Sequence, residues 1–405
     1  MPRHVAFFCI PAYGHLNPIL SVVEELVRRG HRVTCAATGE YADLVAATGA
    51  EVLRYDSILT PHLAPGTFTT LDADAAAWSR VLFLMECAAV TPVFERHFAG
   101  DVPDLVVYDL LMNGCGRALA AKWDRPSVQS TPVLASNDRF SLHDSILELS
   151  GVPAEHPANA EFAARAAEFL AAHGLSGRGA DWAFGWEPES SMVFVSRSFQ
   201  PFGDTFGDGH AFVGLCSADR DLGTAGAPAA APATGKFALV TLGTMLNGRP
   251  ELFRAAADAF GGTDWHAVLA LGSGVRAGDL GAVAPNVEVR HWVPQLEVLA
   301  GASVSVCHGG VASVQQALSC GTRLVLVPSH PENRITAARV AELGLGSVIQ
   351  PEEATGERIR AAAEEVSEDA ALLGRVERMR DDILAAGGAV RAADELEAAE
   401  LAVPR

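Results

Sequence analysis

The sequence has few basic residues, no paired cysteines and no long apolar run. Its 30 Lys and Arg stand against 49 Asp and Glu, a formal charge of −19, whereas nucleic acids and anionic membranes need a positively charged protein face. The seven cysteines are scattered without a CxxC pair, as expected for reduced core thiols. No stretch approaches the roughly 18 apolar residues of a membrane span. The apolar run at residues 5–10 is too short for a signal peptide. We therefore expect a soluble cytoplasmic protein without nucleic-acid or membrane partners.

Short apolar runs alternate with amphipathic segments in two series, which begin at residues 4 and 237. This order of strand and helix is that of a doubly wound parallel sheet. Between the two series, residues 219–234 read DRDLGTAGAPAAAPAT and predict a linker. We expect an α/β protein with two Rossmann-like domains, residues 1–218 and 236–405, facing each other across a cleft and joined by residues 219–235. The last helix could pack back on the N-terminal domain.

Local signals predict where several helices begin and end. Asn17 is a typical cap and Pro18 a typical first residue, so a helix is expected over residues 18–29. Residues 357–386 predict one long helix, which Gly387 and Gly388 break before a last helix at residues 390–401. Residues 57–91 and 134–188 interrupt the regular alternation, and such insertions usually shape a binding site.

Polar residues follow two strands predicted in the first series. His15 comes shortly after the first strand and near a helix N-terminus, whose dipole disfavours the imidazolium and keeps a neutral base available. Asp109 ends another predicted parallel strand, and such strand ends face the ligand crevice of an open α/β sheet. A carboxylate bonded to one imidazole nitrogen stabilises the cation that forms when the other nitrogen takes a proton. The pair predicts general-base chemistry.

In the second series, glycines and hydroxyls follow the predicted strands. The run HGGVASVQQAL from His308 follows a short apolar strand, so that backbone N–H groups and a helix N-terminus lie beside an imidazole and the Ser313 hydroxyl. Gly310 lets the backbone approach an anion. Thr244 ends another strand, and Trp292 offers a flat face for a base. These features together predict a diphosphate site.

Two other motifs lack the context that their usual ligands require. LGSGVRA, from Leu271, partly matches the GxGxxA dinucleotide pattern, but the glycines that follow break the necessary helix, so we expect a loop. Asp72-Ala73-Asp74 spells a DxD metal motif but precedes an alanine-rich segment, and we expect a solvated helix start. None of the thirteen histidines forms a spaced cluster with Cys or carboxylates. We predict no metal.

The second-half motifs together resemble the nucleotide-sugar signature of family 1 glycosyltransferases, and most closely its bacterial macrolide and natural-product branch. The matching residues are Trp292, Val293, Pro294, Gln295, His308, Gly310, Ser313, Pro328 and Glu332. The resemblance extends to the first half, where PAYGHLNP matches a GHxNP-like motif whose His deprotonates the acceptor. It implies that His15 is the base, that Asp109 orients it, and that Gly243 and Thr244 touch the donor phosphate.

The chain departs from the family pattern at two donor positions. Asn333 stands where the family usually has Gln beside the acidic residue that holds the sugar hydroxyls, here Glu332. Gln316 stands where many UDP-sugar enzymes carry Glu, whose carboxylate accepts bonds from both ribose hydroxyls. A weaker ribose contact keeps a dTDP-deoxysugar open as donor, although the Trp292 context favours a UDP-hexose.

The resemblance therefore implies an inverting, metal-independent hexosyltransferase of the GT-B fold. Its partners would be a nucleotide sugar and a small apolar acceptor such as a polyketide or macrolide, with no cofactor beyond that co-substrate, in a monomer or homodimer. Two rivals stay open: a GT-B nucleotide-sugar epimerase, and a non-catalytic nucleotide-sugar-binding partner protein. Apolar side chains expected to line the acceptor pocket are Phe68, Trp78, Phe83, Met85, Met112 and Phe140.

Overall fold

The computed structural model describes residues 2–63, 72–185, 188, 190–218, 235–244 and 247–399. They form two compact units. Unit 1 contains the described residues of 2–63, 72–216 and 386–399, and unit 2 contains those of 217–385. Of the predicted linker, residues 219–235, Gly235 is described and residues 219–234 lie outside the described residues.

Unit 1 is built on a parallel sheet that has seven strands within the described residues. The strand order is β3-β2-β1-β4-β5-β6-β7. The strands are β1 (His4–Phe8), β2 (Arg32–Ala37), β3 (Glu51–Arg54), β4 (Leu105–Asp109), β5 (Ser127–Thr131), β6 (Ser191–Val193) and β7 (His210–Phe212). The helices of this part of the chain are α1 (Tyr13–Arg28), α2 (Ala42–Ala47), α3 (Thr60–Leu63), α4 (Ala73–His97), α5 (Asn113–Trp123), α6 (Leu142–Leu149), α7 (Pro157–Ala172) and α8 (Ala180–Phe184).

Unit 2 repeats the architecture with six parallel strands among its described residues, in the order β10-β9-β8-β11-β12-β13. The strands are β8 (Lys236–Thr241), β9 (Trp265–Ala270), β10 (Val287–Arg290), β11 (Val304–Cys307), β12 (Arg323–Leu326) and β13 (Gly346–Val348). The helices are α9 (Pro250–Phe260), α10 (Gln295–Gly301), α11 (Val311–Ser319), α12 (Pro331–Glu342), α13 (Gly356–Glu368) and α14 (Ala370–Ala385). The predicted pair of doubly wound α/β domains is confirmed.

The central strands β1 and β4 are buried along their whole length because helices cover both faces of the sheet. All five residues of β1 and all five of β4 are buried, which is the pattern of a parallel strand rather than of a half-exposed one. Fully burying one such Val, Leu or Phe side chain stabilises the fold by about 1.5–3 kcal/mol. The first apolar run of each series becomes an interior strand of its sheet, β1 or β8.

The strand order reverses once in each sheet. In unit 1 the chain passes from β1 through β2 to β3 on one side, then returns to place β4 on the other side of β1. In unit 2 the reversal lies between β8 and β11, where Thr241 pairs with Cys307 at the strand ends. Ligands of open α/β sheets bind at such reversals, beside the carboxyl ends of the strands.

Helix α1 begins five residues earlier than predicted, so the expectation that Asn17 caps it and Pro18 starts it is wrong. Ala12 is the N-cap, and its carbonyl accepts bonds from the backbone N–H groups of His15 and Leu16. Pro18 lies inside the helix and cannot donate to the Gly14 carbonyl. Burial of the apolar face of α1 outweighs this loss, and it brings His15 into the first helical turn.

The predicted long helix at residues 357–386 is two helices, α13 and α14. Asp369 adopts an extended conformation between them, and its carboxylate accepts hydrogen bonds from the N–H groups of Ala371 and Leu372 at 2.8 and 2.9 Å. A carboxylate that caps a new helix start competes with continuation of the old helix. Helix propensity alone did not reveal this break.

Helix α4 is long and apolar enough to cross a membrane by length and composition, although 44% of its most apolar window is buried inside the protein. A core helix passes the same test, so this is weak evidence for a span.

The start of α4 confirms the interpretation of the DxD motif, because the Asp72 carboxylate caps the helix by accepting from the Ala75 N–H at 2.8 Å. Asp74 instead contacts the His156 imidazole at 3.1 Å.

The last helix, α15 (Gly388–Ala398), packs with unit 1. Its Ala392, Ala393 and Leu396 join the core beneath α1. Arg29 at the end of α1 donates to Asp394 and Glu397 at 2.7 and 2.8 Å. The described residues after 385 thus belong to unit 1 rather than to the second unit.

Leu396→Ala should lower the free energy of unfolding of unit 1 by about 2–5 kcal/mol, because Leu396 is 1% exposed and its loss leaves a cavity. The control Val390→Ala, on the same helix but 55% exposed, should change it by less than about 0.5 kcal/mol. Urea unfolding followed by circular dichroism measures both. Equal effects of the two changes would contradict the packing of α15 in the core.

Candidate functional site

The side chains of His15 and Asp109 meet at the reversal of the first sheet. Nδ1 of His15 lies 2.8 Å from Oδ2 of Asp109. Asp109 is fully buried, and its other oxygen accepts from the Leu111 N–H at 2.9 Å, while the His15 side chain is 18% exposed. The carboxylate is therefore held from both sides, and the imidazole keeps an edge towards solvent.

This contact determines how the His15 proton is placed. An ionised carboxylate only accepts, so Nδ1 carries the hydrogen and Nε2 carries the lone pair. If Nε2 takes up a proton, the buried charge of Asp109 stabilises the resulting imidazolium. The arrangement is that of an oriented general base.

At the reversal of the second sheet, His308 follows β11 and lies against two glycines. A Cβ atom at Gly243, the turn after β8, would come within 2.6 Å of the imidazole, and one at Gly310 within 2.5 Å. Gly243 also has a φ of +78° and Gly309 one of +87°, which favour glycine. The imidazole thus fills the space between two strand-end loops, and larger residues at these glycines would displace it.

Helix α11 starts directly after these glycines, with Gly310 as N-cap and no side-chain cap. Its first-turn N–H groups, up to that of Ser313, have no acceptor within the helix and point out of its positive end. The Ser313 side chain is partly exposed in the same turn. Thr244, partly exposed, follows the Gly243 turn. This is the geometry expected for binding a phosphate or diphosphate.

His308 is neutral near pH 7. Burial, reinforced by the neighbouring His330, lowers its pKa from 6.5 to about 4, although a hydrogen bond to the Thr241 backbone opposes the shift. Among the described residues, its Nδ1 has no hydrogen-bond partner. A neutral imidazole acts on a bound anion through hydrogen bonding rather than through a positive charge.

Gln316 is held by two neighbours. Its amide oxygen accepts from Nε2 of Gln295 at 2.5 Å, and its amide nitrogen donates to Oγ of Ser217 at 2.7 Å. The side chain is 9% exposed. Both ends of the amide are therefore engaged by the protein, which leaves less hydrogen-bonding capacity for a ligand than an unengaged amide would offer.

The remaining predicted donor residues lie on the same loops. Trp292 is partly buried before α10 and Val293 is 5% exposed. Glu332 lies in the first turn of α12, which is capped by His330 through its Nδ1. Asn333 is 5% exposed, and its backbone oxygen would lie 3.0 Å from a Cβ at Gly309. Asn333 is thus adjacent to the His308 loop.

Comparison with known proteins shows which family the chain resembles. Residues 254–399 match the model of the erythromycin biosynthesis protein CIII-like C-terminal domain. The chain is 38% identical to demethyllactenocin mycarosyltransferase of Streptomyces fradiae, over 97% of this chain and 86% of that protein. It is 34% identical to oleandomycin glycosyltransferase of Streptomyces antibioticus, over 98% and 91%. The crystal structure of the calicheamicin glycosyltransferase CalG4 superposes with a TM-score of 0.87 at 37% identity, with full coverage of both chains.

The chain belongs to the family 1 glycosyltransferases. It lies in their macrolide and natural-product branch and has the GT-B fold. The resemblance inferred from the sequence motifs is thereby confirmed, and so is the conclusion that the protein is an enzyme that transfers sugars.

The predicted acceptor residues of this glycosyltransferase that the structure describes lie in several parts of unit 1. Trp78 and Met85 are 37% and 38% exposed and lie two turns apart on one face of α4. Phe83 is five residues from Trp78 and points about 140° away around that helix. Met112 is fully buried three residues after Asp109, and Phe140 is partly buried in a turn with Asn137. Phe68 lies outside the described residues.

Some residues of the glycosyltransferase site carry no strong sequence signal. Ser217 reaches Gln316 across 99 positions of the sequence. His330 is visible only as a residue before Pro331, a common first helical residue. No group of three His, Cys, Asp or Glu that could hold a metal occurs within the part of the chain that the structure describes.

The free energy of unfolding of unit 2 should fall as the pH drops from about 6.5 to 4. Burial lowers the pKa of His330 to about 4, so the unfolded chain binds a proton in this range that the folded chain does not. Each such histidine contributes up to about 1.4 kcal/mol per pH unit. Urea unfolding at a series of pH values measures the slope.

His330→Asn provides the matched comparison, because Asn retains the cap on α12 but does not titrate. Its slope between pH 6.5 and 4 should be smaller than that of the wild type by about one proton. An unchanged slope would show that His330 titrates normally in the folded state.

Proposed function

We propose that this enzyme transfers a hexose from a nucleoside diphosphate sugar to a hydroxyl of a small apolar natural product, with inversion at the anomeric carbon. The single observation that carries the proposal is the 2.8 Å contact between His15 and buried Asp109 at the reversal of the first sheet. A silent sugar-nucleotide-binding protein would have no use for an oriented base at this position. An epimerase would have no use for a base that acts on an acceptor.

In this proposal, Nε2 of His15 removes the proton from the acceptor hydroxyl as the oxygen attacks the anomeric carbon. Asp109 keeps Nδ1 protonated and offsets the charge of the imidazolium. The attacking oxygen approaches opposite the leaving group, so a single displacement inverts the configuration. No covalent sugar intermediate is needed.

The nucleoside diphosphate leaves with its charge distributed over hydrogen-bond donors of the second unit. These are the first-turn N–H groups of α11, the Ser313 and Thr244 hydroxyls, and the His308 imidazole. Such prearranged donors stabilise charge that grows in the transition state without reorganisation. Because backbone dipoles and hydroxyls supply this stabilisation, the proposed reaction is independent of a metal ion.

The donor is proposed to be a UDP-hexose, with a dTDP-deoxysugar as the alternative. Trp292, near Gln295, is suited to stack on a pyrimidine. The contacts of Gln316 with Gln295 and Ser217 support a weak ribose contact, since a neutral amide already bonded to two neighbours replaces a carboxylate. Discrimination between ribose and deoxyribose should therefore be modest.

The acceptor is proposed to be a polyketide, macrolide or similar apolar natural product. Relatives named for oleandomycin and calicheamicin support this class. The exposed face of α4 that carries Trp78 and Met85 offers apolar surface for it. All seven cysteines are thiols, and six of them are buried, which supports the proposal that the enzyme works in the cytoplasm.

His15→Ala should lower transfer by about 10²–10⁴, the usual contribution of a positioned base, while donor binding stays near the wild-type value. Asp109→Asn should also lose activity, because the amide cannot offset the imidazolium charge. Steady-state kinetics with calorimetric donor binding as the control measure both effects. A His15→Ala enzyme that retains more than about a tenth of kcat would contradict the role of His15, and donor turnover without acceptor would favour an epimerase.

UDP and dTDP donors with the same sugar should differ by less than about a hundredfold in kcat/KM, and Gln316→Glu should shift the ratio about five- to tenfold towards UDP. The carboxylate can accept from Gln295 and still offer lone pairs to the ribose. Ser217→Ala, which removes one Gln316 contact without adding charge, is the matched control and should not favour UDP. An unchanged ratio in Gln316→Glu would mean that Gln316 does not face the ribose.

A further inference from the structure

We propose that Asn247 is a positioning residue that locks together the two loops that bind the donor, the phosphate-facing turn at Gly243 and the segment that carries Trp292. The inference rests on the proposed function for the roles of these loops and goes beyond it for Asn247. Asn247 is fully buried after the turn that follows β8. It therefore acts on the donor only through its neighbours.

The amide nitrogen of Asn247 donates to the carbonyl oxygen of Gly243 at 2.9 Å. Gly243 has a φ of +78°, one of several conformations open to a glycine, so a local contact is needed to select it. Since the same residue packs on the His308 imidazole, a rotation of its peptide would shift both the turn before Thr244 and the space that His308 occupies. The Asn247 bond prevents that rotation.

The other side of Asn247 is enclosed by the glycines of LGSG after β9. A Cβ at Gly272 would lie 2.0 Å from the amide nitrogen, and one at Gly274 would lie 2.1 Å from the amide oxygen. Both positions are therefore restricted to glycine by the Asn247 side chain. The motif that partly matches a dinucleotide fingerprint therefore encloses the Asn247 side chain, and Gly272 and Gly274 form this glycine socket.

The socket is bonded directly to the Trp292 segment. The Gly272 N–H donates to the His291 carbonyl at 2.8 Å, and Nδ1 of His291 lies 3.1 Å from the Gly272 carbonyl. His291 is the residue before Trp292. A continuous series of contacts therefore runs from the phosphate-facing turn through Asn247 and Gly272 to the residue proposed to stack on the base.

The amide oxygen of Asn247 is buried and has no hydrogen-bond partner among the described residues. An unpaired buried polar atom destabilises a fold, so an apolar side chain would be expected here if packing were the only requirement. The hydrogen bond from the amide nitrogen to Gly243 is the feature that an apolar residue could not supply. Phosphate and base must be held at a fixed separation, and this contact sets it.

Asn247→Asp tests the proposal with almost no change of shape, because an ionised carboxylate cannot donate to the Gly243 carbonyl. At pH 8 we expect the Kd for UDP and dTDP and the donor KM to rise about 10- to 100-fold, since small displacements of binding groups have effects of this size. The kcat at saturating donor and the acceptor KM should change by less than about threefold. Calorimetry and initial-rate kinetics provide these values.

Asn286→Ala is the matched control for a general loss of stability. Asn286 also donates to backbone carbonyls, those of Phe260 and Trp265 at 2.7 Å, but it lies before β10, at the opposite ends of the strands. This variant should lower the melting temperature and leave the donor KM unchanged. A donor KM that rises equally in Asn286→Ala and Asn247→Asp would overturn the proposal.

Gly274→Ala provides a second, independent route to the same displacement, because its new Cβ would collide with the Asn247 amide. It should raise the donor KM as Asn247→Asp does, and the two effects should not add in the double variant. Unchanged donor affinity in either folded single variant would overturn the inference. A wild type that binds neither UDP nor dTDP would instead overturn the proposed function, and with it the role given to Asn247.

Discussion

The reversal of strand order in each parallel sheet is the constraint on which the rest of the structure depends. Where the chain leaves β1 and β4 in opposite directions, the ends of these strands stay uncovered, and His15 and Asp109 meet there. The same reversal between β8 and β11 brings the Gly243 turn against His308. The position of both sets of groups follows from topology, because the connections on either side of each reversal run in opposite directions and leave a crevice at the carboxyl ends of the strands.

The sequence predicted the features that are local or that depend on strand ends. His15, Asp109 and His308 each lie at or after the end of a short apolar run, so their position at the carboxyl ends of the strands could be inferred before their contacts were known. The start of α1 and the break at Asp369 could not be predicted, because burial of a helix face outweighed a typical Asn-Pro start and a single capping carboxylate outweighed helix propensity. Ser217 was missed because its partner Gln316 lies 99 positions away on α11. Asn247 was missed because the glycines that enclose it follow β9, and no local pattern marks that contact.

Some of the buried polar atoms without a partner among the described residues lie near the proposed donor site. Nδ1 of His308, Nδ2 of Asn333 and Oδ1 of Asn247 are all of this kind. Each costs about 1–3 kcal/mol of stability, and the three lie after β8, β11 and β12. The proposed diphosphate site accounts for the group nearest His308, since a bound anion or sugar can supply partners that the protein does not. The proposed positioning role accounts for Asn247, because the amide nitrogen of the same side chain donates to the Gly243 carbonyl.

The central claim is a single displacement in which His15 takes the acceptor proton and the nucleoside diphosphate leaves from the opposite face. The anomeric configuration of the product tests it most directly. Proton NMR of the glycoside formed from an α-configured nucleotide hexose should show the β anomer alone. An α-glycoside would contradict the account, because retention requires a second displacement that the His15 and Asp109 pair does not provide.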